Sequence, residues 1–468
     1  MLLLFIGGYL LLTLGIGWWA SRRVHSTKDF VIAGRNLPMV VAASALFATW
    51  FGSETIMGAS SEFVEHGLIG VIEDPFGAAL CLVLVGAFFA RPLYKLNIIT
   101  FNDFFRIRFS RQAEVISALF MIPSYFGWIA AQLVAMAIIL NTIAGLTLLQ
   151  GILLCALIVV FYTYIGGMWA VSITDFLQTI MIIIGLLIIA WQLSEQVGGV
   201  QKVAASVPEG FFRFWPEGNF HSIVHYIAAW ITIGLGSIPQ QDVFQRVMSA
   251  RSAKTAVTAS YLSGFMYLTI GSIPLFIGLC GKMLYPELQM VDDTQMVLPF
   301  MVLEHSSMWV QILFFGALLS AILSTTSGAM LAPATVIGEN LVRPYFPDMS
   351  DQRLLLVMRL SVVGVAICSA LLAASTQNIY ELVGQSSALS LVSLFVPLTA
   401  GLYWKRASNI GALAAIIIGM AVWLICEWQA TAIPSLIYGG LSSLLGMLLG
   451  SWLWPNDPKK VLFNEDTI

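Results

Sequence analysis

Four hydroxyl side chains in a row, Ser324, Thr325, Thr326 and Ser327, interrupt the apolar stretch SAILSTTSGAMLAPATVIGEN at residues 320–340. A lipid-facing helix gains nothing from adjacent hydroxyls, because hydrocarbon offers them no partner. A helix lining an ion site does gain, since a hard cation stripped of water takes oxygen ligands at fixed distance. Na⁺ is a hard cation of that kind, so the run implies a small-cation site within a membrane. Two more apolar stretches carry polar groups. FATWFGSETIMG (47–58) sets Thr49, Gly52, Ser53 and Glu54 in mid-run, and another ends in GLGSIPQQDVFQRV (234–247), with two glycines, Pro239 and then Gln240, Gln241 and Asp242.

The elements that must hold these groups follow from composition. Hydrophobic residues make up 59% of the 468 and charged residues 10%, with mean hydropathy +0.88; a soluble domain carries about 25% charged residues. A membrane span needs about 20 apolar residues. Such windows recur at 2–21, 37–60, 68–90, 113–143, 147–165, 169–193, 222–245, 256–281, 297–340, 354–375, 379–402, 409–428 and 434–454. They predict an all-α polytopic membrane protein of about 13 transmembrane helices. The first window is rich in Trp and Gly and lacks a small-residue cleavage site, so it reads as a retained helix rather than a signal peptide.

Basic residues sort by side. Loops after odd-numbered helices hold Arg22, Arg23, Lys28, Arg35, Arg91, Lys95, Arg106, Arg108, Arg111, Arg246, Arg251, Lys254, Arg343, Arg353, Arg359, Lys405 and Arg406, and the tail holds Lys459 and Lys460; only Lys202, Arg213 and Lys282 fall on the other side. The bias predicts odd loops in the cytoplasm, the N-terminus outside and the C-terminus inside, in a plasma or inner membrane. Cys81, Cys155, Cys280, Cys368 and Cys426 lie in apolar windows without metal-ligand spacing and read as small buried hydrophobes. The histidines, His25, His66, His221, His225 and His305, fall at helix ends or in loops, which weakens any histidine proton relay through the membrane. No GxSxG, HExxH or paired midplane carboxylates appear, which argues against an enzyme.

Interrupted spans at corresponding positions of two halves point to an inverted repeat with a midplane site. Helices 2 and 7 are the interrupted ones, so helices 2–6 and 7–11 would form the two repeats; the bland alternative is two ordinary Gly/Pro kinks. The chain then reads as one transport domain over 1–468: an extra N-terminal helix and loop (1–36), a first repeat (37–193), a second repeat (222–402), and two C-terminal helices with a short tail (403–468).

Five segments in order resemble the sodium:solute symporter family, the sodium-coupled carriers of sugars, proline, choline and sialic acid. They are DFVIAGRNLP (29–38), YTYIGGMWAVSITDFLQ (162–178), PQQDVFQR (239–246), AILSTTS (321–327) and FVPLTAGLYWKRASNIGA (395–412). The resemblance covers essentially the whole chain and implies a five-plus-five inverted repeat of the LeuT type. It implies a sodium site at the carbonyls of Ala48, Phe51 and Ala321 and the hydroxyls of Ser324 and Thr325. A second sodium site or ion exit would use Asp175, Thr326 and Ser327, although Gly328 stands where some relatives place another hydroxyl. The solute would contact Trp50, Ser53, Glu54, Glu73, Phe76, Tyr125, Trp128, Gln132, Gln240 and Gln241.

Trp50 and Trp128 match aromatic positions of the choline-transporting branch, and aromatic faces attract quaternary ammonium groups. Glu73 and Asp74 would add negative potential. Gln240 stands where that branch has a further tryptophan, and Gln and Glu suit an amino acid or a sugar equally. The expected activity is Na⁺-coupled symport of a small organic solute (amino acid, organic cation or amine, or sugar) into the cell by alternating access. The cofactor is Na⁺ alone, and membrane lipid is the only further partner, with no nucleic acid and no obligatory protein. A proton-coupled or facilitative carrier of the same fold, or a solute sensor that does not transport, is the alternative.

Overall fold

The computed structural model describes residues 2–22, 27–285 and 294–455. Arg23, Lys459 and Lys460, part of the basic pattern, and His25 lie outside the described residues. The helices that matter here are α1 (Leu2–Ser21), α2 (Met39–Ala48), α3 (Ala59–His66), α4 (Leu68–Lys95), α5 (Phe101–Arg108), α6 (Arg111–Ala144), α7 (Leu148–Val197), α8 (Phe220–Gly236) and α9 (Gln241–Ser249). After them come α10 (Ala253–Leu284), α11 (Met308–Tyr345), α12 (Asp351–Ser375), α13 (Ile379–Tyr403), α14 (Asn409–Gln429) and α15 (Ser435–Leu453). Among the described residues nine helices are long and apolar enough to cross a membrane, and α8 with α9, bent by 49° at Ser237–Gln240, makes a tenth.

One window resolves differently from its expected form. The window 297–340 is not one helix: Val297–His305 ends at the extended residues Ser306 and Ser307, and α11 starts afresh. Gln311 makes the break tolerable, because its side-chain amide donates to the carbonyls of Leu303 (2.7 Å) and Ser306 (2.9 Å) that the ended helix releases. The windows 147–165 and 169–193 keep their separate identities as Leu148–Tyr164 and Met168–Val197, although the hydrogen-bonded run α7 continues through both. That run is no straight rod. Tyr162 and Thr174 join hydroxyls at 3.1 Å, whereas twelve residues of straight helix would separate them by about 18 Å. The chain therefore doubles back between them.

Local signals set the remaining ends. Ser110 caps α6 by accepting from the Ala113 N–H, Gly145 closes it in a left-handed turn, and Thr147 with Gln150 forms a capping box at the start of α7. Helix α11 is buried from Phe314 to Val336 and packs along α7 and α6, which makes it the central post of the molecule.

The loops that carry the basic residues meet at one end. Leu37 bridges to Ala250, Tyr94 donates to the Ala250 carbonyl, Arg108 bonds the carbonyl of Gly401, and Asn340 reaches both Asp103 and Glu114. Lys282, of the opposite group, donates to Val64 at the other end of the fold. Cys81, Cys155 and Cys280 are buried; Cys368 is exposed on the helix surface and Cys426 is partly so, contrary to the expectation of five buried thiols.

Candidate functional site

The site begins where α2 stops. The Gly52 N–H bonds the Trp50 carbonyl two residues back (2.8 Å), so the Ala48 carbonyl is freed from the helical ladder. It accepts instead from Thr325 Oγ1 of α11 at 2.8 Å, with both residues buried. Phe51 lies in the same unwound turn, and Ala321 is one turn before Thr325 on α11. Beyond the break, residues 54–58 are wound as a π-turn before α3 resumes, an irregularity common at binding sites. Backbone carbonyls outside a helical ladder within a membrane must find partners. Here the Ala48 carbonyl finds its partner in the hydroxyl run, at Thr325.

The rest of that run turns elsewhere. Ser324 Oγ donates to Asp175 Oδ1 (2.7 Å) and meets Thr174 Oγ1 (3.2 Å), while Gln178 bonds Ser320 (2.7 Å). Thr326 back-bonds to the Ile322 carbonyl one turn earlier (2.5 Å), and Ser327 is buried. Arg246 Nη2 lies 3.8 Å from Asp175 Oδ2. The guanidinium fits there because residue 328 is glycine: a Cβ at Gly328 would sit 2.8 Å from Arg246 Nη2. Of the three residues expected at a second ion site, Asp175 faces a fixed positive charge, Thr326 is tied to its own helix, and Ser327 is buried.

A second cluster lies above the break. A narrow slot is lined by Trp50, Glu54, Asp74, Trp128, Ser237 and Gln240, together with Ser386 and Ser387 of α13, and has room for about one water molecule. Glu54 anchors it. Its carboxylate accepts from Trp128 Nε1 (3.1 Å), Gln132 Nε2 (2.7 Å) and Ser53 Oγ (3.2 Å). Asp74 accepts from Thr55 (2.7 Å), whose hydroxyl is 3.4 Å from that of Tyr267. No Lys, Arg or His lines the slot.

Trp50, Glu54, Trp128 and Gln240 therefore come together at the slot, with Ser53 and Gln132 bound to Glu54 behind it. The other expected contacts stand apart. Tyr125 donates to Asp242 Oδ1 (2.6 Å) and accepts from the Asp242 N–H, holding the start of α9. Gln241 accepts from the Phe101 N–H (2.5 Å) at the basic end. Phe76 packs against Phe214 and Trp230. Glu73 faces Gly384, where a Cβ would lie 2.9 Å from its Oε1.

Ser237, Ser386 and Ser387 are polar lining residues missed by sequence reasoning, and Asp74, expected only to add negative potential, lines the slot itself. Ser386 is inserted into α6: its hydroxyl donates to the Ser124 carbonyl and accepts from the Trp128 N–H (3.1 Å). This contact fixes the backbone that carries Trp128. The only sequence signal for it is the hydroxyl run in GQSSALS (384–390).

A model of the Sodium:solute symporter family (SSF) matches residues 30–419. The chain is 30% identical over 440 residues to the high-affinity choline transporter 1 of Drosophila melanogaster, covering 89% of this chain and 69% of that one. It is 29% identical over 476 residues to the osmoregulated proline transporter OpuE of Bacillus subtilis, covering 96% and 94%. A structure of a substrate-bound, outward-open Na⁺-coupled sialic acid symporter aligns over 97% of this chain and 98% of that one, with TM-score 0.82 at 20% identity. That likeness concerns the fold.

Proposed function

Because the chain belongs to the sodium:solute symporter family, and is thus a multi-pass membrane solute transporter rather than an enzyme, we propose that it couples entry of a small organic cation to Na⁺. The observation that carries the substrate class is the slot itself: Trp50 and Trp128 with Glu54 and Asp74, and no basic side chain. Carboxylates inside a membrane are costly unless a positive partner meets them. A quaternary ammonium or amine supplies that charge and stacks on the rings, at about 0.5–2 kcal/mol per ring depending on desolvation. The choline transporters among the relatives support this reading.

Na⁺ binds at the carbonyls of Ala48, Phe51 and Ala321 and the hydroxyls of Ser324 and Thr325. The Thr325–Ala48 contact supports the site, because it already joins the two elements that supply the oxygens. The broken helices α2–α3 and α8–α9 head two inverted repeats, 37–193 and 222–402, and rocking of one against the other gives alternating access. The basic end faces the cytoplasm. Asp175 holds Arg246 rather than a second Na⁺.

A zwitterionic solute is the second reading. It is favoured by the full-length match to the proline transporter and by the three hydrogen bonds already satisfying Glu54.

Uptake of radiolabelled choline, proline and glucose into proteoliposomes under an inward Na⁺ gradient decides between them. The proposal expects choline uptake that collapses in K⁺ and is not competed by proline or glucose. Proline uptake untouched by excess choline would overturn the cation reading, and uptake indifferent to Na⁺ would overturn the coupling.

A further inference from the structure

We propose that His221 and His225, with the carbonyl of Ala432, form a transition-metal site that clasps the start of α8 to the connection between α14 and α15. Asn219 caps α8 by accepting from the Ser222 N–H (2.8 Å). His221 and His225, four residues apart, therefore stand on one face within its first turns. Their Nε2 atoms are 3.2 Å apart, with ring centroids at 4.2 Å and planes tilted by 36°. Both nitrogens address one carbonyl: Ala432 O is 2.8 Å from His221 Nε2 and 3.3 Å from His225 Nε2.

That carbonyl is placed by the end of α14. Ala430 adopts a left-handed conformation (φ 47°, ψ 59°), which reverses the chain over α8, and Thr431 bonds the Ile433 carbonyl to hold the turn. The three donor atoms come from two segments that α8 and α14 bring together.

Hydrogen bonding alone satisfies only two of these three contacts at once: if one ring donates and the other accepts, the accepting ring turns a lone pair toward the Ala432 carbonyl. For both nitrogens to donate to Ala432, both rings must carry the proton on Nε2, which sets two N–H groups side by side at 3.2 Å. An ion uses the same geometry without conflict. With metal–nitrogen bonds of about 2.1 Å, the two Nε2 atoms subtend about 100° at the metal, close to the tetrahedral angle. Paired imidazoles select borderline ions such as Zn²⁺, Cu²⁺ or Ni²⁺ over Mg²⁺ and Ca²⁺, which demand oxygen shells. Access is open: His225 lines a cavity of about 420 Å³ that also presents Glu217 and Tyr226, and both histidines are exposed.

The clasp bears on transport because α8 runs from His221 directly into Ser237 and Gln240 at the slot. A metal tying the far end of α8 to α14 and α15 restrains the movement of that broken span. Zn²⁺ should then lower the maximal rate of uptake without competing with solute. This second effect rests on the transporter reading; the binding itself does not.

The test is calorimetric titration of ZnCl₂ into the purified full-length chain with any affinity tag removed. One site is expected, weakened at least tenfold in His221→Ala and in His225→Gln and abolished in the double variant, with MgCl₂ giving no heat. Thermal unfolding without metal should match wild type in each variant, which separates loss of the site from loss of the fold. Unchanged Zn²⁺ affinity in the double variant would overturn the proposal by placing the ion elsewhere, for example at Cys368. Wild-type protein that takes up no Zn²⁺ even at millimolar concentration would overturn it by showing that the cluster is a hydrogen-bond arrangement only.

Discussion

Arg246 Nη2 stands 3.8 Å from Asp175 Oδ2, and both side chains are sealed from solvent. Removing one member of a buried pair strands the other charge, at a cost of about 3–5 kcal/mol. Arg246→Gln should therefore lower the unfolding temperature of the solubilised protein sharply, and Asp175→Asn added to it should recover much of the loss. Two independent, additive losses would mean that the residues are not a pair. With a guanidinium occupying that place, the Na⁺ dependence of initial uptake should be hyperbolic. A sigmoidal dependence would mean that a second ion binds.

Gly328 tests the same arrangement from the other side. A Cβ there meets Arg246 Nη2 at 2.8 Å, whereas one at Gly364 meets nothing within 4 Å. Gly328→Ala should reduce uptake and thermal stability, and Gly364→Ala should leave both near wild type. Equal behaviour of the two variants would show that Arg246 is free to move.

The slot makes a charge-specific prediction. Glu54→Gln keeps the size and most hydrogen bonds of the side chain but removes its charge. The apparent KM for a cationic solute should rise at least tenfold, the equivalent of about 1.4 kcal/mol. Trp50→Ala and Trp128→Ala should each do the same through lost stacking. An unchanged KM in all three would remove the slot from the solute path.

Much of this was legible in the sequence. Hydropathy marked the long helices, Gly52 and Pro239 marked the two breaks, and the hydroxyls at 324–327 marked the helix that meets the first break. The contact between Thr325 and Ala48 spans 277 residues and was reached through family resemblance, not periodicity. Contacts between distant helices were otherwise opaque. Asp74 enters the slot and Glu73 beside it does not, because the Asp74 backbone leaves the helical conformation (φ −142°, ψ 125°) ahead of Pro75, a break that the sequence marks only by that proline. Ser386 was invisible for a related reason: its role lies in the backbone of α6, 262 residues away. The window at 297–340 read as continuous because Ser306 and Ser307, where the helix ends, are too few to interrupt a hydropathy average, and the partner of the released carbonyls, Gln311, lies on the next helix.

The central claim is that Na⁺ and solute are coupled through the unwound turn at 49–53. Na⁺ bound at Ala48, Phe51 and Thr325, as proposed, would order the turn that carries Trp50, so each ligand should tighten binding of the other by the same factor. Calorimetric titration of solute with and without Na⁺, and of Na⁺ with and without solute, measures this directly in wild type and in Thr325→Ala. Equal reciprocal factors in wild type that shrink toward one in Thr325→Ala are predicted. Solute affinity identical in Na⁺ and K⁺ buffers would contradict coupling through this turn.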